Sequence, residues 1–296
     1  MTDTPAGPGR SGTLVRTALV VLVVVLAGLA ALAGAPGPPA PTYARYVALG
    51  DSFTAAPFVP VSDIAYGCYR STNNYPHLVA RELRIDDLRD RSCSGAQTAD
   101  LTGSQRTARG MAVRPQLEAL TPETDLVTMG IGANNYRLYA RLATVCRKLT
   151  TICPLDDQRA LFGAILDRLR PALVASIEQV RERAPRARVL LVSYPQLLPD
   201  RGDCAKLPRM RPQDRETFRD VNRRLVEEMA AAADEAGVEF VDYYTASHGH
   251  DICSARPWVQ GRVGNARQAA ALHPLPAGQE AVAQLVAARL RTPLER

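Results

Sequence analysis

Tyr46-Val47-Ala48-Leu49-Gly50-Asp51-Ser52-Phe53-Thr54 is the stretch on which the reading of this chain turns. An apolar, partly β-branched run leads into Gly-Asp-Ser, and small residues follow. It reads as a buried strand ending in a tight turn with a serine at its tip. In an open α/β sheet that tip is where ligands bind. Gly50 suits a turn that a larger residue would resist. A serine so placed can be a nucleophile, provided that a base and oxyanion donors come from elsewhere in the chain. The plainer role for Asp-Ser after a strand is to cap a helix.

Working outward, strand and helix signals alternate to the end of the chain. Residues 74–85 carry apolar positions at helical spacing, and residues 88–93 form a short strand before Ser92-Cys93-Ser94-Gly95-Ala96. Between them and the serine, residues 55–67 are irregular and apolar, suited to line a pocket or to pack as a surface loop. Residues 125–132 are the next buried strand, running into Ala133-Asn134-Asn135. Residues 157–184 are helical with Pro171 inside, which predicts a kink or two consecutive helices there. A strand over 188–194, a helix over 213–237 closed by Gly237, a strand over 238–242 and a final helix over 278–290 complete the pattern. This alternation predicts one α/β domain with a mainly parallel sheet and helices on both faces. Residues after Gly50, Cys93, Gly132 and Asp242 would then meet at one edge of the sheet.

The ends of the chain and its composition add context. Of 296 residues 46% are hydrophobic and 22% charged, and the formal charge is +6 with no block of like charges. That is ordinary globular composition, and it argues against a nucleic-acid partner. Residues 1–35 differ. Arg10 and Arg16 precede an uncharged apolar stretch ending in Ala33-Gly34-Ala35, the pattern of a secretory signal peptide or, if uncleaved, of an N-terminal membrane anchor. The proline-rich residues 36–42 read as a linker, and residues 43–296 as the folded domain. All six cysteines, at 68, 93, 146, 153, 204 and 253, follow the apolar segment. An even count in an exported chain implies three disulfides, with Cys146 and Cys153 an evident local pair. No Cys-x-x-Cys occurs. His248-Gly249-His250-Asp251 lacks further clear ligands, so no metal is expected.

A serine nucleophile needs a base, and His273 in Leu272-His273-Pro274 is the candidate, just before a helix. Gly95 offers an unobstructed N–H and Asn134 a side-chain amide. Taken together, Gly50-Asp51-Ser52, Gly95, Gly132-Ala133-Asn134 and His273-Pro274 resemble the four ordered blocks of the SGNH hydrolases, or GDSL-type lipases and esterases. The resemblance spans roughly residues 45–290. With Pro257-Trp258 and six cysteines the chain is most similar to the secreted bacterial three-disulfide branch.

The resemblance implies a three-layer α/β/α sandwich, the pairs Cys68–Cys93, Cys146–Cys153 and Cys204–Cys253, and no cofactor. It implies Ser52 as nucleophile, His273 as base, and an oxyanion hole of the Ser52 and Gly95 N–H groups and the Asn134 amide. The chain departs from the family pattern twice. Its third block has Ala133 and Asn135 in place of glycine and aspartate. Ala270 stands where an aspartate usually orients the histidine. A backbone carbonyl, that of Ala270 first, is expected to take over, with Asp251 and Asp242 as the rival orienting groups. The expectation is an exported, monomeric serine esterase or lipase acting through a Ser-His dyad on acyl lipids. A carbohydrate acetylesterase, or a binding protein that has lost activity, is the alternative.

Overall fold

β1 (Arg45–Gly50) lies inside a five-stranded parallel sheet, where Tyr46 to Leu49 are wholly buried. The computed structural model describes residues 1–3, 42–144 and 154–292. After β1 come α1 (Ser52–Ala55), the small paired strands β2 (Ser62–Asp63) and β3 (Arg70–Ser71), α2 (Tyr75–Leu83) and β4 (Asp87–Asp90). A second small pair, β5 (Gln105–Arg106) and β6 (Ala112–Val113), precedes β7 (Leu126–Gly130). Then follow α3 (Arg159–Asp167), α4 (Leu169–Arg183), β8 (Arg188–Val192), α5 (Pro212–Glu235), β9 (Glu239–Val241), α6 (Tyr243–Ala246) and α7 (Pro276–Arg291). The sheet order is β4-β1-β7-β8-β9, and every neighbouring pair is parallel.

Alternating side chains feed two separate cores, as a parallel sheet covered on both faces requires. Val47, Leu49, Val127, Met129, Val189 and Leu191 pack with α3, α4 and α5 residues such as Phe162, Leu173 and Phe218. Tyr46, Ala48, Leu126, Leu190 and Val192 pack with α2 and α7 through Val79, Val282 and Val286. The structure is thus the parallel sheet with helices on both faces that the alternation of strands and helices predicts, and the three-layer α/β/α sandwich that the resemblance implies.

The break in the 157–184 helical stretch falls at Arg168, not at Pro171. Pro171 sits in the first turn of α4, where its missing N–H would have no intrahelical partner in any case. Contacts divide the chain into Met1–Ala40 and Pro41–Arg296. Of the expected signal or anchor segment only residues 1–3 are described, and of the linker only residue 42. Among the described residues no helix is long and apolar enough to cross a membrane. Cys68–Cys93 and Cys204–Cys253 are disulfides. The Cys146–Cys153 pair lies outside the described residues.

Candidate active site

Ser52 is the first residue of α1, and the capping role falls to its neighbour. Asp51 accepts the Phe53 N–H at 2.9 Å, and its own N–H donates to the Gly130 carbonyl at 3.0 Å. Gly50 is required by space. A Cβ there would lie 2.3 Å from Thr54 Oγ1 and 2.8 Å from the Gly130 carbonyl, so β1 and β7 end close together only because this residue is glycine. Gln116 holds the same glycine from the side, accepting its N–H at 2.8 Å and donating to its carbonyl at 2.9 Å. The turn that presents Ser52 is thus fixed on three sides, and the serine is only 7% exposed.

His273 arrives from the loop before α7, with Nε2 2.8 Å from Ser52 Oγ. The carbonyl facing its other nitrogen belongs to Ala271, 2.8 Å from Nδ1, and not to Ala270. The reason is the turn. His273 N–H donates to the Ala270 carbonyl at 3.2 Å, which closes a four-residue turn, and Leu272 at its third position has φ +62°. That is a type II turn, in which the central peptide is flipped so that the Ala271 carbonyl is not spent within the turn. Because a carbonyl can only accept, this pairing puts the proton on Nδ1 and leaves Nε2 to accept from Ser52. The Phe53 ring stacks on the imidazole at 4.9 Å, and Tyr139 meets it edge-on at 5.4 Å, its hydroxyl 3.3 Å from Nδ1. Gln279 in α7 donates to the Phe53 carbonyl at 2.9 Å and accepts the Tyr75 N–H at 2.7 Å, tying the histidine's helix to the serine's.

Gly95 follows Cys93 in a turn with φ +85°, a conformation that a side chain would strain. Asn134, after β7, donates one side-chain hydrogen to the Ala96 carbonyl at 3.1 Å. An amide carries two such hydrogens, so one remains for another acceptor. Asn135, where the family pattern has aspartate, uses both ends of its carboxamide: it accepts the Thr98 N–H at 3.0 Å and donates to Thr98 Oγ1 at 2.7 Å. The Gly95 and Asn134 turns are therefore sewn together side by side.

Tyr194, just past β8, joins these turns to the serine turn. Its hydroxyl accepts the Ala133 N–H at 3.0 Å and donates to Asp51 at 2.6 Å. Burial pushes the Asp51 carboxyl up to about 7, against the hydrogen bonds from Tyr194 and Phe53 that favour its charged form. Burial also raises the Tyr194 phenol well above its ordinary value. Neither Tyr194 nor Gln116 emerges as a site residue from sequence reasoning. The one signal for Tyr194 is its place at the carboxyl end of a strand, where polar tips converge.

The rival orienting groups point elsewhere. Asp251 accepts the Cys253 N–H at 2.8 Å, and Asp242 caps α6 by accepting the Thr245 N–H at 2.9 Å. His250 stacks on Trp258 at 4.0 Å with Nδ1 2.8 Å from the Arg256 carbonyl, and His248 meets the Tyr244 ring edge-on. Among the described residues no three His, Cys, Asp or Glu side chains gather as metal ligands.

Residues 48–281 match the model of the GDSL-like lipase/acylhydrolase family. Lipase 2 of Streptomyces coelicolor is 36% identical over 228 residues, which cover 73% of this chain and 75% of that protein. A lipase of Streptomyces rimosus is 30% identical over 224 residues, 72% of this chain and 75% of that one. Among solved structures, the extracellular lipase of Streptomyces rimosus superposes with a TM-score of 0.71 at 27% identity, over 84% of this chain and all of that one. Phospholipase A1 of Streptomyces albidoflavus does so with a TM-score of 0.69 at 25% identity, over 85% of this chain and all of that one.

Proposed function

Because the chain belongs to the GDSL-like lipase/acylhydrolase family, its chemistry is carboxylic ester hydrolysis, and we propose that Ser52 and His273 perform it as a dyad on acyl-lipid esters outside the cell. The observation that carries the proposal is the 2.8 Å approach of His273 Nε2 to Ser52 Oγ. As His273 takes the hydroxyl proton, Ser52 Oγ attacks the ester carbonyl. The carbonyl oxygen becomes an oxyanion, received by the Ser52 and Gly95 N–H groups and the second Asn134 hydrogen. Collapse of the tetrahedral species expels the alcohol, which takes the proton from His273. Water, deprotonated by His273, then releases the acid and restores the serine.

The Ala271 carbonyl does what a carboxylate does in a triad: it holds the Nδ1–H tautomer and, as a dipole, steadies the imidazolium. It carries no full charge, so the stabilisation is weaker, but the tautomer is still selected. No step asks for a cofactor.

Acyl lipids are favoured over carbohydrate acetates by the lipase and phospholipase names of the similar chains. Export is supported by the disulfides Cys68–Cys93 and Cys204–Cys253, and by the extracellular description of the Streptomyces rimosus lipase. Residues 1–35 would then serve as signal peptide or anchor and residues 36–42 as linker.

The test is turnover of p-nitrophenyl butyrate by the wild type and by Ser52→Ala. The variant should lose several powers of ten in kcat with an unchanged melting temperature. A Ser52→Ala protein that keeps half the activity defeats the mechanism. A panel of acyl lengths with the wild type then separates lipids from acetates.

A further inference from the structure

Seven large apolar side chains are strongly exposed among the described residues, and four of them lie on two adjoining hairpins: Val61 (69%), Ile64 (49%), Tyr66 (64%) and Met111 (43%). The first three lie on the β2–β3 hairpin, which leaves α1 soon after Ser52, and Met111 lies between β5 and β6. The two hairpins adjoin. Arg109 of the second donates to the Ile64 carbonyl of the first at 2.8 Å, and a Cβ on Gly67 would touch Thr107. Both are anchored on the active-site rim through Ser94, the residue before Gly95: its N–H donates to the Cys68 carbonyl, and Gln105 donates to its carbonyl at 2.9 Å. On the other side, Ala270 N–H donates to the Pro57 carbonyl at 3.0 Å, beside the histidine turn.

This apolar face is also positively charged. Across residues 57–72 and 105–114 the charged groups are Asp63 against Arg70, Arg106, Arg109 and Arg114. Arg70 pairs with Asp90 and Arg114 with Glu118. Arg106 and Arg109 instead donate to the carbonyls of Gly110 and Ile64, and with Asp63 as the one carboxylate of these segments they leave a positive surplus there. Contiguous exposed apolar side chains mark a surface that meets something, and the arginines say what. A second copy meeting the same face by two-fold symmetry would set guanidinium against guanidinium. A lipid surface with anionic headgroups would take the arginines at its phosphates and the apolar side chains beneath them.

We infer that the face formed by Val61, Ile64, Tyr66 and Met111, flanked by Arg106 and Arg109, seats this enzyme on an anionic lipid–water interface with its ester-hydrolysing edge turned to the lipid. The inference rests on the acyl-lipid reading above, and it gives that reading a geometry: the acyl ester enters across the Gly95 side of the site.

The test uses the full chain. In a Ser52→Ala background, which leaves lipid intact, Tyr66→Trp places a reporter on the face, and Trp258 supplies a constant background. Vesicles of phosphatidylcholine with phosphatidylglycerol should shift the reporter's emission to the blue. Pure phosphatidylcholine should shift it far less, and salt should reverse the shift. The second arm replaces Ile64, Tyr66 and Met111 by serine in the active protein. Turnover of soluble p-nitrophenyl butyrate should stay within about twofold, while hydrolysis of ester held in anionic vesicles falls about tenfold or more, because three apolar anchors are lost. Residues 1–41 are the same in both proteins, so any lipid affinity of that segment cancels. No blue shift on anionic vesicles overturns the inference. So does an equal rate on vesicle ester before and after the triple substitution, or a concentration-dependent dimer that the substitution abolishes. If the triple variant loses the soluble activity as well, the reporter shift alone decides. If the wild type hydrolyses no ester at all, the functional reading fails, and the reporter still judges the surface.

Discussion

The carboxyl and amino ends of the sheet strands are held by different means. Around Ser52 and His273, at the carboxyl ends of β1, β7 and β8, the polar groups are neutral or close to it and are strung by hydrogen bonds: Gln116 on Gly50, Tyr194 between Ala133 and Asp51, Ala271 on His273. At the amino ends they are charged. Arg45 at the start of β1 pairs with Asp87 at the start of β4 at 2.6 Å. Arg188 at the start of β8 pairs with Glu239 at the start of β9 at 2.5 Å, and Arg289 of α7 also reaches Glu239. Arg188 further donates to the Leu290 and Thr292 carbonyls and to Tyr43, tying both ends of the domain to the sheet. The contrast separates two tasks. A site that must receive a transient negative charge is better served by fixed neutral donors than by resident carboxylates, while a clamp gains from full charges in close pairs.

Separable tasks should be separable by mutation. Asn134→Ala, at the carboxyl ends, should lower kcat by roughly 10²–10³ with a smaller change in KM, since the charge that it meets develops in the transition state. Its melting temperature should barely move. A response in KM alone would make Asn134 a substrate-binding residue. Arg188→Met, at the amino ends, should do the reverse. Breaking a buried pair costs about 3 kcal/mol of stability at the low end of the usual range, which applies because Arg289 still faces Glu239. Urea unfolding measures that loss, and kcat at a temperature where the variant is folded should match the wild type. A fall in kcat without a fall in stability would join the two ends that the structure keeps apart.

The same comparison predicts a pair of opposite pH slopes. The Asp51 carboxyl, raised by burial from its ordinary 3.8 to about 7, keeps its proton in the folded chain after the unfolded chain has released it. It therefore takes stability away as pH rises from about 4 to 7, and adds no slope above that. At Glu239 burial pushes the carboxyl up, but Arg188 and Arg289 outweigh it and hold the group below its ordinary 4.5. Its contribution is present above that value and is lost as pH falls below it. Urea midpoints from pH 3 to 8 for wild type, Asp51→Asn and Glu239→Gln read both. The first substitution should flatten the descending slope between about 4 and 7, and the second the acid limb. An Asp51→Asn curve parallel to the wild type would mean that the Asp51 carboxyl titrates alike in the folded and the unfolded chain.

What the sequence made legible follows from the range of each interaction. β1, β7 and β8 are short apolar runs buried on both faces, so composition alone marks them, and the order of helices between them implies a parallel sheet. Ser52 and His273 are conspicuous as a small-residue turn and as a histidine before proline. The orienting carbonyl lies one residue beyond Ala270, the expected one. The type II turn that selects Ala271 puts Leu272 at positive φ, where glycine is the usual signal, so nothing in the residue types announces it. Tyr194 and Asp51 are 143 residues apart, and no local pattern connects them. The β2–β3 and β5–β6 pairs have two residues per strand, too short for any periodicity, yet they carry the exposed apolar face.

Ser52, activated by His273, should form a covalent acyl intermediate. Trapping with a fluorophosphonate tests it most directly, since that reagent phosphonylates an activated serine and then stops. Peptide mass spectrometry should find one adduct per chain, on Ser52, formed in step with the loss of esterase activity and absent from His273→Ala and from heat-unfolded protein. Esterase activity that survives full reaction, or is lost with the adduct on another residue, would contradict the account.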